Sequence, residues 1–124
     1  MNVPKDAMLL RIFFGEEDRF EGKSLYEAIV LKAREMHLAG ATVLRGPMGY
    51  GHSSRLHTAK ILRLSFDLPI VVEIVDEEKK INAFLEIADE MIEEAGCGAL
   101  MTVYIINNPR FGISRVPFCM PNST

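Results

Sequence analysis

The 124-residue sequence predicts one α+β domain of the ferredoxin-like type, with two helices covering one face of a four-stranded antiparallel sheet. The length suits a single domain. Four apolar runs have the length of strands, and two longer segments have the periodicity of amphipathic helices. These segments follow one another in the order β-α-β-β-α-β, which places the first and third strands side by side in the centre of the sheet.

The first two predicted strands lie on either side of the first helix. Residues 7–14 (AMLLRIFF) form an apolar run, and an extended backbone sends alternate side chains to opposite faces. One face then carries Met8, Leu10, Ile12 and Phe14, and the other carries Leu9, Arg11 and Phe13. A charged loop is predicted at 15–23, and a short strand at 41–45 (ATVLR).

Both predicted helices have recognisable end signals. Ser24 and Glu27 have the spacing of a capping box, and Gly40 is placed to end the first helix in the left-handed conformation. Asp76 is predicted to cap the second helix, which ends at Gly96. The apolar stripe of the first helix comprises Leu25, Ala28, Ile29, Ala33 and Met36, and that of the second comprises Ile81, Phe84, Leu85, Ala88, Met91, Ile92 and Ala95.

The remaining strands follow a long connection. A third strand is predicted at 70–76 (IVVEIVD) and a fourth at 99–106 (ALMTVYII). The connection, 46–68, is about two dozen residues long, whereas a hairpin usually needs about two to five. An extended arm is predicted inside it at 59–65. The core of the domain is thus expected at about 7–106, followed by a tail at 107–124 with no clear period.

Both faces of the predicted sheet are apolar, which is unusual for a two-layer domain with one face in water. The face away from the helices is expected to carry Leu9, Phe13, Val71 and Val75, together with Met101, Val103 and Ile105 of the last strand. We therefore predict an oligomer whose sheets face a shared interior; the alternative is a tail that folds back over the sheet. Arg11 and Glu73 are expected to pair on that face, because a lone buried charge is costly.

The long connection begins with the most unusual stretch of the chain, RGPMGYGHSSRLH at 45–57. Gly46, Gly49 and Gly51 suit tight turns that point backbone amides at an anion. Charge for phosphate oxygens would come from Arg45, Arg55, Lys60 and Arg63. The spacing G-x-x-G-x-G matches neither the dinucleotide-binding fingerprint nor the P-loop. A phosphate cradle and a solvated arm with glycines for its turns therefore both remain open.

Metal binding and catalysis have weaker support. His52 and His57 have no further ligand at a metal-binding spacing, and the acidic triplet 16–18 is typical of a charged turn. The serines beside these histidines have no recognisable base partner, so no hydrolase is predicted. Cys97 and Cys119 have no motif spacing and are expected to be free thiols.

Composition and charge exclude several broad classes of function. A net charge of −3 gives no general attraction to nucleic acid or anionic membranes. No apolar run approaches the roughly 20 residues of a membrane span, and the N-terminus lacks a secretory pattern, so a cytoplasmic protein is expected. RNA binding on this fold needs aromatic residues on the central strands, and 70–76 has none. We therefore predict no nucleic-acid partner.

Two stretches, TVLRGPMGYG (42–51) and DLPIVVEIVDEEKKI (67–81), with His57 between them, resemble the PII-like family catalogued as domain of unknown function 190, DUF190. The resemblance runs over roughly residues 8–106. It implies kinship with the PII nitrogen-signalling proteins, which are trimers of ferredoxin-like subunits whose sheets face inward. Those proteins bind adenine nucleotides in the clefts between subunits, and their long loop after the second strand reaches partner proteins.

The resemblance implies a nucleotide site at the root of the long loop and at the turn before the last strand. Its residues would be Arg45, Gly46, Met48, Gly49, Tyr50, Gly51 and His57 from the loop, Gly96 and Gly98 from the turn, and Arg110 from the tail. The glycines would offer backbone donors, the arginines, with Arg55, would balance phosphate charge, and His57 would steady the loop. The PII turn also carries a lysine that is absent here, so AMP or ADP is expected in preference to ATP.

The resemblance thus implies a homotrimeric signalling protein that requires no cofactor, binds an adenine nucleotide and acts on an unknown protein partner through its loop. Some relatives are associated with fluoride-export proteins, which makes a membrane transporter one candidate partner. Two other classes stay open. One is a structural adaptor without a small ligand, and the other is a small enzyme on a phosphorylated metabolite, with His52 or His57 as its acid–base group. The expectation adopted is a regulator and not an enzyme.

Overall fold

The computed structural model describes residues 6–50, 57–58 and 67–107. Its strands are β1 (Asp6–Gly15), β2 (Arg19–Phe20), β3 (Lys23–Ser24), β4 (Gly40–Arg45), β5 (Met48–Gly49), β6 (His57–Thr58), β7 (Pro69–Asp76) and β8 (Leu100–Asn107), and its helices are α1 (Leu25–Glu35) and α2 (Glu78–Ala95). The four long strands begin and end within one residue of their predicted bounds. The predicted arm at 59–65 and the tail lie outside the described residues.

The four long strands form one antiparallel sheet in the order β4-β7-β1-β8. The central neighbours are therefore β1 and β7, the first and third long strands, and the α+β ferredoxin-like prediction is confirmed. The strand pairs β2–β3 and β5–β6 form separate two-stranded ladders beside this sheet. The first of these occupies part of the predicted charged loop at 15–23.

The hydrophobic core lies between the sheet and the two helices. Its largest fully buried side chains are Leu10 and Ile12 of β1, Ile70, Val72 and Ile74 of β7, Leu25 and Ile29 of α1, and Ile81 and Phe84 of α2. Each such side chain contributes about 1.5–3 kcal/mol on burial, so packing on this face accounts for the position of both helices. In the described part of the chain, neither helix is long and apolar enough to cross a membrane.

Helix α1 ends earlier than its sequence pattern predicts, and Gly40 is not its terminator. His37 takes the left-handed conformation instead, with a φ of 61°. Its amide donates to the carbonyl of Arg34 at 3.0 Å. The amide of Leu38 donates to the carbonyl of Ala33, also at 3.0 Å, which completes a Schellman motif. Gly40 is thereby left to begin β4.

The start of α1 lies where predicted, but the capping box does not form. Ser24 is the N-cap residue, yet its side chain makes no capping hydrogen bond, so the expected exchange with Glu27 is absent there. The amide of Leu25 donates to the carbonyl of Asp18 at 2.8 Å. A backbone acceptor from the preceding turn therefore satisfies the first amide of α1.

Asp76 is not the N-cap of α2, which is Glu77. The buried Asp76 carboxylate accepts hydrogen bonds from the amide of Glu77 at 2.6 Å and from the amide of Ala39 at 2.9 Å. One carboxylate thus ties the start of α2 to the connection after α1. At the other end of α2, Gly96 has a φ of 72° and ends the helix as predicted.

The face of the sheet away from the helices, called here the open face, is largely apolar. It carries Leu9, Arg11 and Phe13 of β1, Val71, Glu73 and Val75 of β7, Thr42 and Leu44 of β4, and Leu100, Thr102, Tyr104 and Ile106 of β8. Met101, Val103 and Ile105 lie on the helix side, so their predicted placement is wrong. The reason is register: Met101 lies opposite the buried Ile12, and opposed residues project to the same side.

Candidate functional site

One end of the sheet gathers most of the predicted site residues, and we call it the loop end. At this end, Gly15 of β1 lies opposite Pro69 of β7, and Arg45 of β4 lies opposite Ile70 of β7. On the other side of β1, Leu100 of β8 lies opposite Phe13. Strands β4 and β8 are the two edges of the sheet. The root of the long loop therefore lies at one edge, and the turn before β8 lies at the other, roughly 14 Å away across three strand spacings.

The root of the loop packs closely against Pro69. The Gly46 amide donates to the carbonyl of Pro69 at 2.8 Å, which extends the β4–β7 ladder by one bond. A Cβ atom on Gly46 or on Gly49 would lie 3.2 or 3.3 Å from Pro69 Cγ. These glycines are thus needed for close approach to a neighbour and not for a left-handed turn. The Gly46 amide is already bonded, contrary to its expected role as a donor to an anion.

Beyond this root, β5 pairs with β6, with Met48 opposite Thr58 and Gly49 opposite His57. The backbone of His57 is therefore held near the loop root. The exposed side chains of Met48 and Tyr50 lie on the same stretch. Two predicted site residues, Gly51 and Arg110, lie outside the described residues, as do Arg55 and His52.

Arg45 forms an ion pair that the sequence pattern does not predict. Its Nη2 lies 2.6 Å from Oε2 of Glu16, whose side chain is only 17% exposed. The backbone amide of Glu16 donates to the carbonyl of Leu68 at 2.8 Å. Glu16 therefore holds both ends of the long loop, one through its side chain and the other through its backbone. We call these two contacts the Glu16 clasp.

The rest of the acidic turn reinforces the clasp. The Glu17 amide donates to Oδ1 of the buried Asp67 at 3.0 Å, and the Gly15 amide donates to Oδ2 of Asp18 at 2.9 Å. The carboxylates of Glu16 and Asp18 are thus engaged with an arginine and with a backbone amide, respectively. Within the described ranges, no three His, Cys, Asp or Glu side chains come together in a way that could hold a metal ion.

The turn before β8 packs against this same acidic turn. The Gly96 amide donates to the carbonyls of Ile92 and Glu93 at 3.0 and 3.1 Å, so it too is already bonded. Burial raises the pKa of the free Cys97 thiol to about 11, and the nearby negative charge of Asp18 adds to this shift. A thiol with this pKa is protonated and unreactive near neutral pH. Gly98 is exposed between Cys97 and β8.

A concave region lies on the helix side of the molecule and shares no residue with the predicted site. It encloses about 170 Å³, and α1, α2 and the β2–β3 hairpin line it through Phe20, Lys23, Leu31, Lys32 and Met91, among others. Its charged rim is mixed in sign, since Glu35 lies 3.2 Å from Lys32.

Comparison with known families places most of the chain in one of them. The DUF190 family model, described as an uncharacterized ACR, matches residues 7–107. A UPF0166 protein of Aquifex aeolicus (strain VF5) is 49% identical over 78 residues, which are 63% of this chain and 74% of that protein. A UPF0166 protein of Methanocaldococcus jannaschii is 38% identical over 90 residues, or 73% of this chain and 82% of that protein.

PII-like proteins are among the solved structures that superpose on this chain. CPII from Thiomonas intermedia K12, a nitrogen regulatory PII-like protein bound to ADP, AMP and bicarbonate, superposes with a TM-score of 0.58 at 13% identity, covering 84% of this chain and 91% of CPII. A putative PII-like signaling protein from Thermus thermophilus gives 0.58 at 17% identity, covering 86% of this chain and 91% of that protein. At such identities the likeness is one of fold.

Proposed function

This chain belongs to the DUF190 family and has a PII-like fold, and from that premise we propose a cytoplasmic, homotrimeric regulator that binds an adenine nucleotide between subunits. The observation that carries the proposal is the position of two half-sites at the loop end of the sheet. Arg45 and Gly49 lie by the β4 edge, and Gly98 lies by the β8 edge. In a ring of copies, the β4 edge of one subunit lies beside the β8 edge of the next, which unites the half-sites.

The bound state of CPII, which holds ADP and AMP, supports an adenine nucleotide as the ligand class. Arg45 supplies a guanidinium for phosphate oxygens, because it is half exposed and has donors beyond the one bonded to Glu16. The Glu16 carboxylate partly neutralises that charge. A ligand with few phosphate charges, AMP or ADP, is therefore favoured over ATP.

The Glu16 clasp links nucleotide binding to the long loop. A phosphate on the free donors of Arg45 shares the positive charge that also holds Glu16, so binding weakens the side-chain half of the clasp. The backbone half, from the Glu16 amide to Leu68, remains. Ligand binding thereby shifts the population of loop arrangements that meet a protein partner, for which a membrane transporter is a candidate.

The test is a calorimetric titration of the full chain with AMP, ADP and ATP, with the molar mass measured on the same sample. We expect micromolar binding of AMP or ADP at one site per subunit of a trimer. Gly49→Val places a branched side chain against Pro69 and should weaken binding at least about tenfold, or 1.4 kcal/mol. Ala83→Val is the control, because it adds a branched side chain at an exposed position of α2 and leaves both edges of the sheet unchanged.

The same experiment separates the other functional classes. A well-folded trimer that gives no heat with any nucleotide would support the structural adaptor. Turnover of nucleotide that His57→Ala abolishes would support the enzyme. Unchanged binding by Gly49→Val would remove the loop root from the site.

A further inference from the structure

The open face and the outer surface of α2 differ in how their charges are balanced. On the open face, Arg11 Nε donates to Oε2 of Glu73 at 2.9 Å, which confirms the predicted pairing. On the outer surface of α2, residues 81–95 carry exposed acids and no lysine or arginine. These acids are Glu86, Asp89, Glu90, Glu93 and Glu94. Within the described ranges none of them forms an ion pair, so this part of α2 keeps its negative charge toward solvent.

The position of these acids along the helix is electrostatically unfavourable. They lie toward the C-terminal end of α2, where the helix dipole favours cations, and the last turn contains no basic residue. The side chains of Glu94 and Glu21 are also in contact, through a hydrogen bond that raises the pKa of Glu94. A cation from outside the chain would offset both the dipole and this acid–acid contact. The surface is therefore complementary to a basic partner.

An apolar groove lies beside this acidic surface. It is the concave region between α1, α2 and the β2–β3 hairpin, and we call it the hairpin groove. Its lining includes the buried side chains of Ala28 and Met91 and the more exposed ones of Phe20 and Leu31. Leu31 is 43% exposed, and in the part of the chain that the structure describes it is the only exposed large apolar side chain on either helix. The groove therefore offers an apolar contact on a layer whose outer surface is otherwise polar.

The β2–β3 hairpin holds an acid at the groove in an unfavourable backbone conformation. Phe20 lies opposite Lys23, which leaves Glu21 and Gly22 as a two-residue turn. Both have a positive φ, 49° and 84°, as a type I′ turn requires. Asparagine, aspartate and glycine favour the first of these positions, so glutamate is less stable there. Glu21 lines the groove and contacts Glu94, which joins the groove to the acidic surface of α2.

We propose that the hairpin groove and the acidic surface of α2 together bind a basic amphipathic segment of a partner protein. A large apolar side chain of that segment enters the groove beside Leu31, and a lysine or arginine next to it pairs with Glu21. The acids repel anionic lipid and nucleic acid, which leaves a protein as the partner. Two lysines also line the groove. Lys32 is balanced by Glu35 at 3.2 Å, which leaves Lys23 as a single cation among the acids of this surface.

Three short synthetic peptides test the proposal on the full chain: an amphipathic helix of leucine and lysine, the same peptide with glutamate for lysine, and one with serine for leucine. The NMR signals of the methionine methyl groups report where each binds, because Met91 lines the groove, Met48 lies at the loop root and Met101 lies on β8. We expect the leucine–lysine peptide to shift the Met91 signal saturably and to leave Met48 and Met101 unchanged. The other two peptides should bind at least about tenfold more weakly. Equal binding of the acidic peptide, or shifts at Met48 or Met101 in place of Met91, would overturn the proposal.

Glu21→Asn separates the charge from the fold, since asparagine suits the type I′ turn and carries no charge. It should melt at or above the wild-type temperature, yet bind the leucine–lysine peptide about threefold more weakly at low salt. Leu31→Gln changes an exposed helix position and should weaken binding about five- to tenfold through the lost apolar contact. Glu78→Gln is the control, because it removes one acid at the opposite end of α2 and should leave the affinity unchanged. Wild-type affinity in either Glu21→Asn or Leu31→Gln would overturn the proposal.

Failure of this proposal and failure of the proposed function are distinguishable, because the hairpin groove shares no residue with the predicted nucleotide site. A chain that binds AMP or ADP but none of the peptides overturns the role of the groove alone. A chain that binds the leucine–lysine peptide at Met91 but takes up no nucleotide leaves the groove's role standing and removes the nucleotide.

Discussion

The two faces of β1 come from the same ten residues and reach different environments. Leu10 and Ile12 are fully buried under the helices, whereas Leu9 and Phe13 on the open face are only half-buried. Both faces are rich in large apolar side chains. The difference shows that apolar pattern alone does not decide burial within one chain. Burial depends on whether other elements cover the face. In the described residues, two helices cover one face of the sheet, and that face is the buried one.

The largest loss of stability is expected from a substitution on the helix-covered face. Phe84 is fully buried there, and Phe84→Ala should lower the free energy of unfolding by about 3–5 kcal/mol, through lost burial and a residual cavity. Urea denaturation measures the loss. It should be independent of protein concentration, because the contacts lie within one chain. A loss under about 1 kcal/mol would mean that this core is not the main source of stability.

Phe13→Ala makes the same chemical change on the open face. In dilute solution the half-buried ring should contribute only about 1 kcal/mol to the free energy of unfolding. The loss should grow as protein concentration rises, because the proposed assembly would bury Phe13. Repeating the denaturation at several concentrations measures this growth. A loss that stays constant would contradict burial of the open face by a second copy.

A smaller effect is expected where the helix layer joins the edge strand β4. His37 holds a left-handed φ of 61° without being glycine. His37→Gly should therefore raise the free energy of unfolding by about 0.5–1 kcal/mol. Ala39→Gly is the control, because Ala39 has no positive φ and added backbone freedom should destabilise there. Denaturation of the two variants should move in opposite directions, and a gain in both would point to a different cause.

The smallest effect concerns the outer surface of the helix layer. A side-chain hydrogen bond to Glu21 raises the pKa of the exposed Glu94, and charge repulsion between the two acids adds to this. A raised pKa in the folded state means that the contact stabilises at low pH, and that this stability is lost as pH rises. Glu94→Gln should therefore raise the melting temperature slightly at neutral pH.

The melting temperature of Glu94→Gln, measured as a function of pH, tests whether the Glu21–Glu94 contact causes the gain. The gain from Glu94→Gln should shrink as pH falls through the carboxyl range, because wild-type Glu94 then takes up its proton. Glu21→Gln should give a similar gain, and the double variant should add little to either, since one repulsion is removed in each case. A gain that persists at low pH would rule out the pair as its source.

The positions of the elements were predictable because strand and helix periodicities differ and the core is continuous. All four long strands, the start of α1 and the end of α2 lie where the pattern places them. The end of α1 was not predictable from the sequence. The residue in the left-handed conformation is His37 and not a glycine, and Gly40 is the first residue of β4. The faces of β8 were assigned wrongly because a shift of one residue in register exchanges the two faces.

The candidate site was only partly predictable for a similar reason. The sequence shows glycines and an arginine at the root of the loop, and the family resemblance implies that they bind a nucleotide. The sequence does not show which groups they form hydrogen bonds with. Glu16 lies 29 positions from Arg45, and nothing in its local sequence separates it from its acidic neighbours. The pairing appears only when the turn after β1 is brought beside the end of β4.

The amino-acid sequence by itself determines the order and type of the elements. It also determines the helix-covered core and the apolar character of the open face. These follow from short-range periodicity, which each segment carries alone. Tertiary structure settles which amides at the loop end are already bonded, which acid holds Arg45, and that Thr42, Glu73, Arg11 and Thr102 form one row. Those features depend on the register between strands that are far apart in the sequence. Register exists only once two strands are paired, so no single segment determines it.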